Sequence, residues 1–582
     1  MEKDIPGIRD VSIVLCGEAG QGIQTVEFLM ASLLKISRYN FFSTKEYMSR
    51  VRGGSNSTEI RVSTDTVNAF VERIDILFPF TAQALEHVRW RLSGKTLIIG
   101  DKDLLAPGGK EPAVKIYHVP FNSMAKEVGG EIYSNVIAVG IIAGILGIDA
   151  EISNNFIGRY FERKGVEAAK NNSTALGKGY EIGHRISDEG TFKATIEMHP
   201  EIDNQIVMNG AEAVGFGALC GGCNFISAYP MTPSTGILTF LAEKSLEYDI
   251  IAEQAEDEIA AINMAIGAWY AGGRGMVCTA GGGFALMTEG VSLAGMLEIP
   301  VVISVGQRPA PATGLPTRTE QGDLEMVLYA GHGEFPRVIF APGTIEDCIS
   351  LTRMAFNLAD KYQIPVFILS DQYIMDSYYN FQAPDISDIK IEHQYIKTDK
   401  DYVRYTITDS GISPRGIPGY GEGMVVVDSD EHDFRGHITE DYNLRTAMVN
   451  KRLKKMHQIE LEAIPPELTG GKECGYLVVC WGSTYHIARE AIKRLGRNDI
   501  SLLHFNQVYP LHTDTADYFR GARNTIIVEN NATSQFSRIL RASTGISIDK
   551  KILQYNGLPF SVEHLTESLK AEIEQEVYPH GR

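Results

Sequence analysis

Residues 257–306 read DEIAAINMAIGAWYAGGRGMVCTAGGGFALMTEGVSLAGMLEIPVVISVG. An alanine-rich helical pattern, DEIAAINMAIGAWYAG (257–272), precedes two short β-branched runs, GMVCTA (275–280) and VVISVG (301–306). Two more runs of the same kind, RVIFAP (337–342) and PVFILS (365–370), flank a second helical pattern, TIEDCISLTRMAFNLADKY (344–362). Continuous apolar runs of this length predict strands buried on both faces. Their alternation with helices predicts a parallel sheet covered by helices on each side, so the expected fold class is α/β.

On the amino-terminal side, VSIVLC (11–16), the glycine turn GEAGQGI (17–23) and the helical pattern TVEFLMASLLKI (25–36) open another α/β unit. Strand, glycine-rich turn and helix suit an anion, because glycines let backbone N–H groups approach it at a helix start. The spacing is GxxGQG, not GxGxxG, and no acidic residue follows a clear second strand, so a nicotinamide site is not expected. TLIIGD (96–101) reads as a strand, VIAVGIIAGILG (136–147) as an apolar helix, and RISDEGTFKATIEMHPEIDN (185–204) as a linker. On the carboxyl-terminal side, regular patterning stops in a segment rich in Asp, Gly, Pro and His. It includes SGISPRGIPGYGEG (410–423) and DSDEHDFRGHITED (428–441), and long ordered loops of this kind often cover a site or a partner surface. YLVVCWG (476–482), TYHIAREAIKRLG (484–496), SLLHF (501–505) and NTIIVEN (524–530) form a third α/β unit. The expected domains are 1–195, 205–385, an irregular linker at 386–470, and 471–582.

With 54 basic and 73 acidic residues the chain of 582 carries a formal charge of −19, and its 44% hydrophobic content supports several cores. Such a charge excludes broad binding to nucleic acid or an anionic membrane, while a local basic patch for phosphate stays possible. The longest apolar run, 136–148, is interrupted by Gly140, Gly144 and Gly147 and is shorter than the ~20 residues that span a bilayer. The start MEKDIPGIRD has no apolar signal core, so a cytoplasmic location is expected. Cys16, Cys220, Cys223, Cys278, Cys348, Cys474 and Cys480 are odd in number and scattered, unlike a disulfide framework. Cys220 and Cys223 form the one close pair. A zinc or iron–sulfur cage needs about four ligands, and the pair equally suits two small buried residues within GFGALCGGCNF.

Three segments of the middle domain carry candidate chemistry. In Tyr229-Pro-Met-Thr232-Pro-Ser-Thr235, prolines on either side stiffen the backbone around Thr232. The segment fits either a ligand-binding hydroxyl or a capped turn. In Glu253-Gln-Ala-Glu256-Asp257-Glu258, Glu258 falls in the first turn of a helix, where the dipole favours a carboxylate, and a solvated terminal acid would look the same. In GQRPAPATGLPTRTEQGDL (306–324), Arg308 follows the strand VVISVG. Ligands of open α/β sheets bind beyond the carboxyl ends of strands, and an arginine there suits a carboxylate substrate, as it would a structural ion pair.

Together these segments resemble the α subunit of 2-oxoacid:ferredoxin oxidoreductases, in the fused γ–α arrangement found in 2-oxoglutarate:ferredoxin oxidoreductase. YPMTPST resembles the family's YPITPS motif, and Glu258 with IAAINMAIGAWYAGGRGMVCTAGGG its thiamine-pyrimidine segment. GQRPAPATGLPTRTEQGDL is similar to its substrate-arginine loop. GISPRGIPG (411–419) with SDEHDFRGHITED (429–441) resembles its linker, and VENNATSQ (528–535) its C-terminal domain. GEAGQGI and SRVRGGSNSTEIRVS (49–63) resemble its γ domain. The resemblance implies three α/β domains, the central one like the pyrimidine-binding domain of thiamine enzymes and the last like the transketolase C-terminal domain.

It also implies thiamine diphosphate chemistry that decarboxylates a 2-oxoacid, passes electrons singly to iron–sulfur clusters and ferredoxin, and gives the acyl group to coenzyme A. By motif position Glu258 activates the pyrimidine ring, and Tyr229 and Pro230 contact the cofactor. Arg308 holds the substrate carboxylate, with Thr313 and Thr232 bonding the 2-oxoacid. Lys45, Gly20 and Gly22, with nearby Arg50 and Arg52, are candidates for coenzyme A. A tight turn and a subunit contact are the other reading of that region. The chain contains no GDG motif for Mg²⁺ and diphosphate (the nearest triplet is Gly322-Asp323-Leu324) and no cysteine set for a cluster. Both, including a [4Fe–4S] cluster, are therefore expected in a β subunit, within a dimer of αβ heterodimers. Rival readings are another thiamine enzyme of the transketolase type and a non-catalytic scaffold subunit. Arg318, His332 or a β-subunit residue would serve a distal substrate carboxylate.

Overall fold

The computed structural model describes residues 7–18, 23–48, 55–105, 114–387 and 389–574. The chain divides into two compact units, one built chiefly from residues up to Met208 and the other from Asn209 onward. Residues Ser377–Pro384 and Ser561–Glu563 return to the first unit.

The first unit holds an eight-stranded sheet. Strands Lys115–His118, Leu97–Gly100, Ile76–Pro79 and Asp10–Glu18 run parallel; Ser55–Ser63 and Asn40–Glu46 then add antiparallel to Asp10–Glu18. Tyr378–Gln382 and Gln205–Asn209 complete the edge. The helix Ser134–Leu146 is buried almost all round, as its apolar sequence predicts. It packs on Val166–Asp188 through glycines, because a Cβ on Gly140 or Gly179 would overlap the backbone of the other helix. That longer helix takes in Arg185–Asp188 from the segment read as a linker. Among the described residues no single helix is long and apolar enough to cross a membrane.

The second unit contains the predicted parallel sheet, in the order Gln507–Tyr509, Val338–Phe340, Pro365–Asp371, Val301–Gln307, Gly275–Ala280, Phe225–Ala228, Ile251–Gln254. Every pairing is parallel except that of Gln507–Tyr509, which comes from the carboxyl-terminal part of the chain. A second sheet of five strands is parallel from Ile500–Phe505 through Cys474–Trp481 and Ala522–Glu529 to Lys550–Leu553.

The segment read as irregular contains a 20-residue helix, Tyr442–Leu461. Periodicity missed it because its buried side chains include Lys451, Arg452 and Lys455 in place of an apolar stripe. Lys451 Nζ and Lys455 Nζ each lie 2.5 Å from the carboxylate of Glu298, and all three side chains are fully buried. Glu298 adopts a left-handed conformation immediately after the helix Gly281–Leu297, and Arg404 donates to the carbonyls of Leu297 and Glu298. Cations therefore gather at that helix's negative end. Arg415, from the neighbouring glycine- and proline-rich segment, is anchored 2.5 Å from the buried Asp360, which also pairs with Arg274.

Glu298→Gln would leave two buried lysines without their counter-charge. It is expected to destabilise the second unit by about 3–5 kcal/mol, measured by chemical denaturation.

Candidate active site

Three chain segments meet where the parallel strands end. Strand Phe225–Ala228 runs into the Tyr229–Thr235 loop, strand Gly275–Ala280 into the helix Gly281–Leu297, and strand Val301–Gln307 into Arg308 and its loop. Ser234 ties them together: its Oγ donates to the carbonyl of Thr279 at 2.5 Å and accepts from the N–H of Gly306 at 3.1 Å. The Thr232–Pro233 and Ala310–Pro311 peptide bonds are cis.

Glu258 is the first residue of the helix Glu258–Tyr270, whose N-cap is Asp257, with the Asp257 side chain accepting from the N–H of Ala260 at 2.7 Å. Glu253, Glu256 and Asp257 are exposed, whereas Glu258 is only 4% exposed. Its Oε1 is buried and has no hydrogen-bond partner among the described residues. It lies against the first turn of the helix Gly281–Leu297, where a Cβ on Gly283 would overlap it and the Thr279 hydroxyl. A solvated terminal acid is thereby excluded. The sequence placed Glu258 at a helix start; only the fold shows that this start is buried.

Arg308 Nη1 donates to the carbonyl of Thr232 at 2.8 Å, so the arginine and the threonine loop do come together. Thr232 and Pro230 are half-buried, and Tyr229 is exposed. Thr313 is exposed at a tight turn in which Ala312 and Gly314 have positive φ and the N–H of Leu315 returns to the carbonyl of Pro309. The carbonyl of Ala312 comes over Gly282, within 3.7 Å of where a Cβ would stand. In the first unit, Lys45 Nζ lies 4.0 Å from the buried carboxylate of Glu27, which also accepts from Ser43 Oγ. Gly20, Gly22, Arg50 and Arg52 lie outside the described residues.

Sequence reasoning overlooked Gln307, Gln321 and Asp323, although each stands in or beside the arginine loop. Gln307 Oε1 accepts from the N–H of Asp323 at 3.0 Å, closing the loop on itself. Asp323 is 6% exposed, and burial raises its pKa to about 6 against the opposing charge of Arg308. Gln321 is fully buried and secures the loop to the second sheet of the same unit. Its N–H donates to the carbonyl of Asn530, its Nε2 to that of Trp481, its Oε1 accepts from the N–H of Asn530, and its carbonyl accepts from Asn531 Nδ2. Behind these contacts, fully buried Glu529 accepts from Trp481 Nε1, Asn531 Nδ2, Ser534 Oγ and the N–H groups of Phe536 and Ser537. The VENNATSQ segment is thus the anchor of the arginine loop.

A buried carboxylate lacking a partner, an arginine beyond the strand ends and a glycine-rich helix start define a coenzyme-using α/β site. Residues 216–451 match the model described as pyruvate flavodoxin/ferredoxin oxidoreductase, thiamine diphosphate-binding, and residues 12–182 that of pyruvate ferredoxin/flavodoxin oxidoreductase. The chain is 30% identical to the 2-oxoacid:ferredoxin oxidoreductase subunit alpha of Sulfolobus sp, across 96% of each chain. It is also 30% identical to the 2-oxoglutarate oxidoreductase subunit KorA of Mycobacterium tuberculosis, over 77% of this chain and 70% of that one. The solved structure of 2-oxoglutarate:ferredoxin oxidoreductase from Magnetococcus marinus, with 2-oxoglutarate, coenzyme A and succinyl-CoA bound, superimposes with a TM-score of 0.89. It has 30% identity over 97% of this chain and 100% of that one. The chain belongs to the 2-oxoacid:ferredoxin oxidoreductase family as an alpha subunit, part of a multi-subunit enzyme, and carries its thiamine diphosphate-binding domain.

Gln321→Leu removes both side-chain hydrogen bonds and leaves the Asn530 N–H buried without its partner, while the Trp481 carbonyl keeps only the Thr484 hydroxyl. It is expected to cost about 2–4 kcal/mol of stability and to expose the arginine loop to limited proteolysis.

Proposed function

We propose that this chain supplies the substrate-binding and coenzyme-activating half of an enzyme that oxidatively decarboxylates 2-oxoglutarate, transferring the succinyl group to coenzyme A and electrons to ferredoxin. One observation carries this reading: the buried Oε1 of Glu258, which has no hydrogen-bond donor among the described residues. Such an atom is costly unless a bound molecule shares a proton with it. The edge of a thiamine pyrimidine ring does so, and the residues present therefore fit the coenzyme. When bound, thiamine diphosphate supplies the nucleophilic carbon and the electron sink.

The chain's own residues then bind, orient and move a proton. Glu258 holds the proton shared with the pyrimidine edge, in a place where water does not compete. Arg308, steadied by the Thr232 carbonyl, meets the carboxylate next to the reacting carbonyl group. The hydroxyls of Thr232 and Thr313 orient the 2-oxoacid, and Tyr229 and Pro230 wall the coenzyme. In this reading a β subunit carries Mg²⁺, the diphosphate site and a [4Fe–4S] cluster within a dimer of αβ heterodimers, which is supported by the lack of a GDG motif and of a cluster-type cysteine set in this sequence. Lys45, Gly20 and Gly22 are the candidates for coenzyme A.

The choice of 2-oxoglutarate is supported by the name of the mycobacterial relative and by the ligands of the Magnetococcus enzyme. The broader name of the Sulfolobus relative favours a second reading, the same chemistry on pyruvate or branched-chain 2-oxoacids.

Viologen reduction by the co-expressed α and β subunits separates the two: kcat/KM is expected to be highest with 2-oxoglutarate, and a preference for pyruvate overturns the first reading. Glu258→Gln is expected to lower kcat about 10²–10⁴-fold with thiamine diphosphate still bound. Lys45→Ala is expected to raise the KM for coenzyme A, and an unchanged value removes Lys45 from that role.

A further inference from the structure

The helix Gly281–Leu297 begins with three glycines, and two carboxylates lie against them. A Cβ on Gly283 would overlap Glu258 Oε1, and a Cβ on Gly281 would overlap the carboxylate of Asp323, whose Cγ stands 2.6 Å from that point. Asp323 Oδ2, like Glu258 Oε1, is buried and has no hydrogen-bond partner among the described residues. Both side chains are more than nine-tenths buried. Between them the Ala312 carbonyl of the arginine loop passes over Gly282.

Asp323 is also the residue at which that loop closes. The loop leaves its strand at Gln307, and Gln307 Oε1 accepts from the Asp323 N–H at the loop's return. Asp323 precedes the short helix Leu324–Leu328 but makes no side-chain capping bond to it, so its carboxylate is not spent on that turn. Gln321, two residues earlier, is held by Asn530, Asn531 and Trp481, which leaves Asp323 little freedom.

We propose that Asp323 is a positioning residue: its carboxylate, seated on Gly281 at the positive start of that helix, fixes the return of the arginine loop, and the bond from its N–H to Gln307 carries that position to the adjacent Arg308, so that substrate carboxylate and coenzyme are met together. This rests on the reading of Glu258 and Arg308 given above. The glycine turn is then a double cradle in which one glycine makes room for the group that acts on the coenzyme. The other makes room for the group that seats the arginine loop. Replacing either glycine by alanine displaces one carboxylate without removing it.

The test uses the reconstituted αβ complex with Gly281→Ala, Asp323→Asn, their double variant and Gly283→Ala. Gly281→Ala and Asp323→Asn are expected to share one signature. The KM for 2-oxoglutarate rises about tenfold, kcat falls less than about threefold, and thiamine diphosphate affinity measured by calorimetry is kept. The double variant should be no worse than either single one, because both remove the same interaction. Gly283→Ala is expected to lower kcat instead. Hydrogen exchange over residues 308–315 reads loop position independently of turnover, and should quicken in the first three variants but not in Gly283→Ala. An unchanged KM with unchanged exchange overturns the proposal, as does a lowered melting temperature with the KM untouched. A wild-type complex inactive on every 2-oxoacid overturns the functional reading instead, and the exchange measurement still decides whether Asp323 positions the loop.

Discussion

A carboxylate oxygen buried with no donor is the constraint on which the second unit is organised. Leaving Glu258 Oε1 in that state costs free energy that the surrounding structure must offset. Several features do so at close range: the positive end of the helix that Glu258 opens, the Asp257 cap, and the glycine start of a second helix pressed against the carboxylate. Ser234 stitches the threonine loop to the ends of two strands and keeps the site from relaxing around the acid. Poor local satisfaction inside a rigid shell is stored free energy.

The rigidity is built at a distance from the site. Helix Gly281–Leu297 meets Glu258 and Asp323 at its first turn, and at its far end Glu298 is held by Lys451 and Lys455. The arginine loop is tied at one end by Gln307 and at the other by Gln321, which engages the VENNATSQ segment around Glu529. Buried ion clusters such as Glu298 with its lysines or Asp360 with Arg274 and Arg415 gain little net stability, because desolvation absorbs most of the attraction. Their geometry does admit one arrangement of the linker on the sheet. The segment that carries Lys451 and Lys455 thus braces the far end of the helix Gly281–Leu297, and the carboxyl-terminal sheet braces the arginine loop.

Family membership and fold were accessible without coordinates because they depend on local patterning. Apolar runs at 275–280, 301–306 and 365–370 are strands wherever they occur in a doubly covered sheet, and all three form as read. The motifs around Thr232, Glu258 and Arg308 each follow a strand of the same parallel sheet, at the end where those strands finish. The helix Tyr442–Leu461 escaped detection because it buries charge, which hydropathy counts as exposure.

The sequence by itself therefore determined the class of fold and the family, both of which follow from side-chain type and short-range spacing. Tertiary structure alone decided that Glu258 is buried and not solvated, and that Thr232 supplies its carbonyl to Arg308. It also brought Asp323 to the same glycine turn. These are properties of segments far apart in the chain that meet at strand ends. Burial and partner choice are set by which backbones approach closely enough to exclude water, and no local pattern encodes that distance.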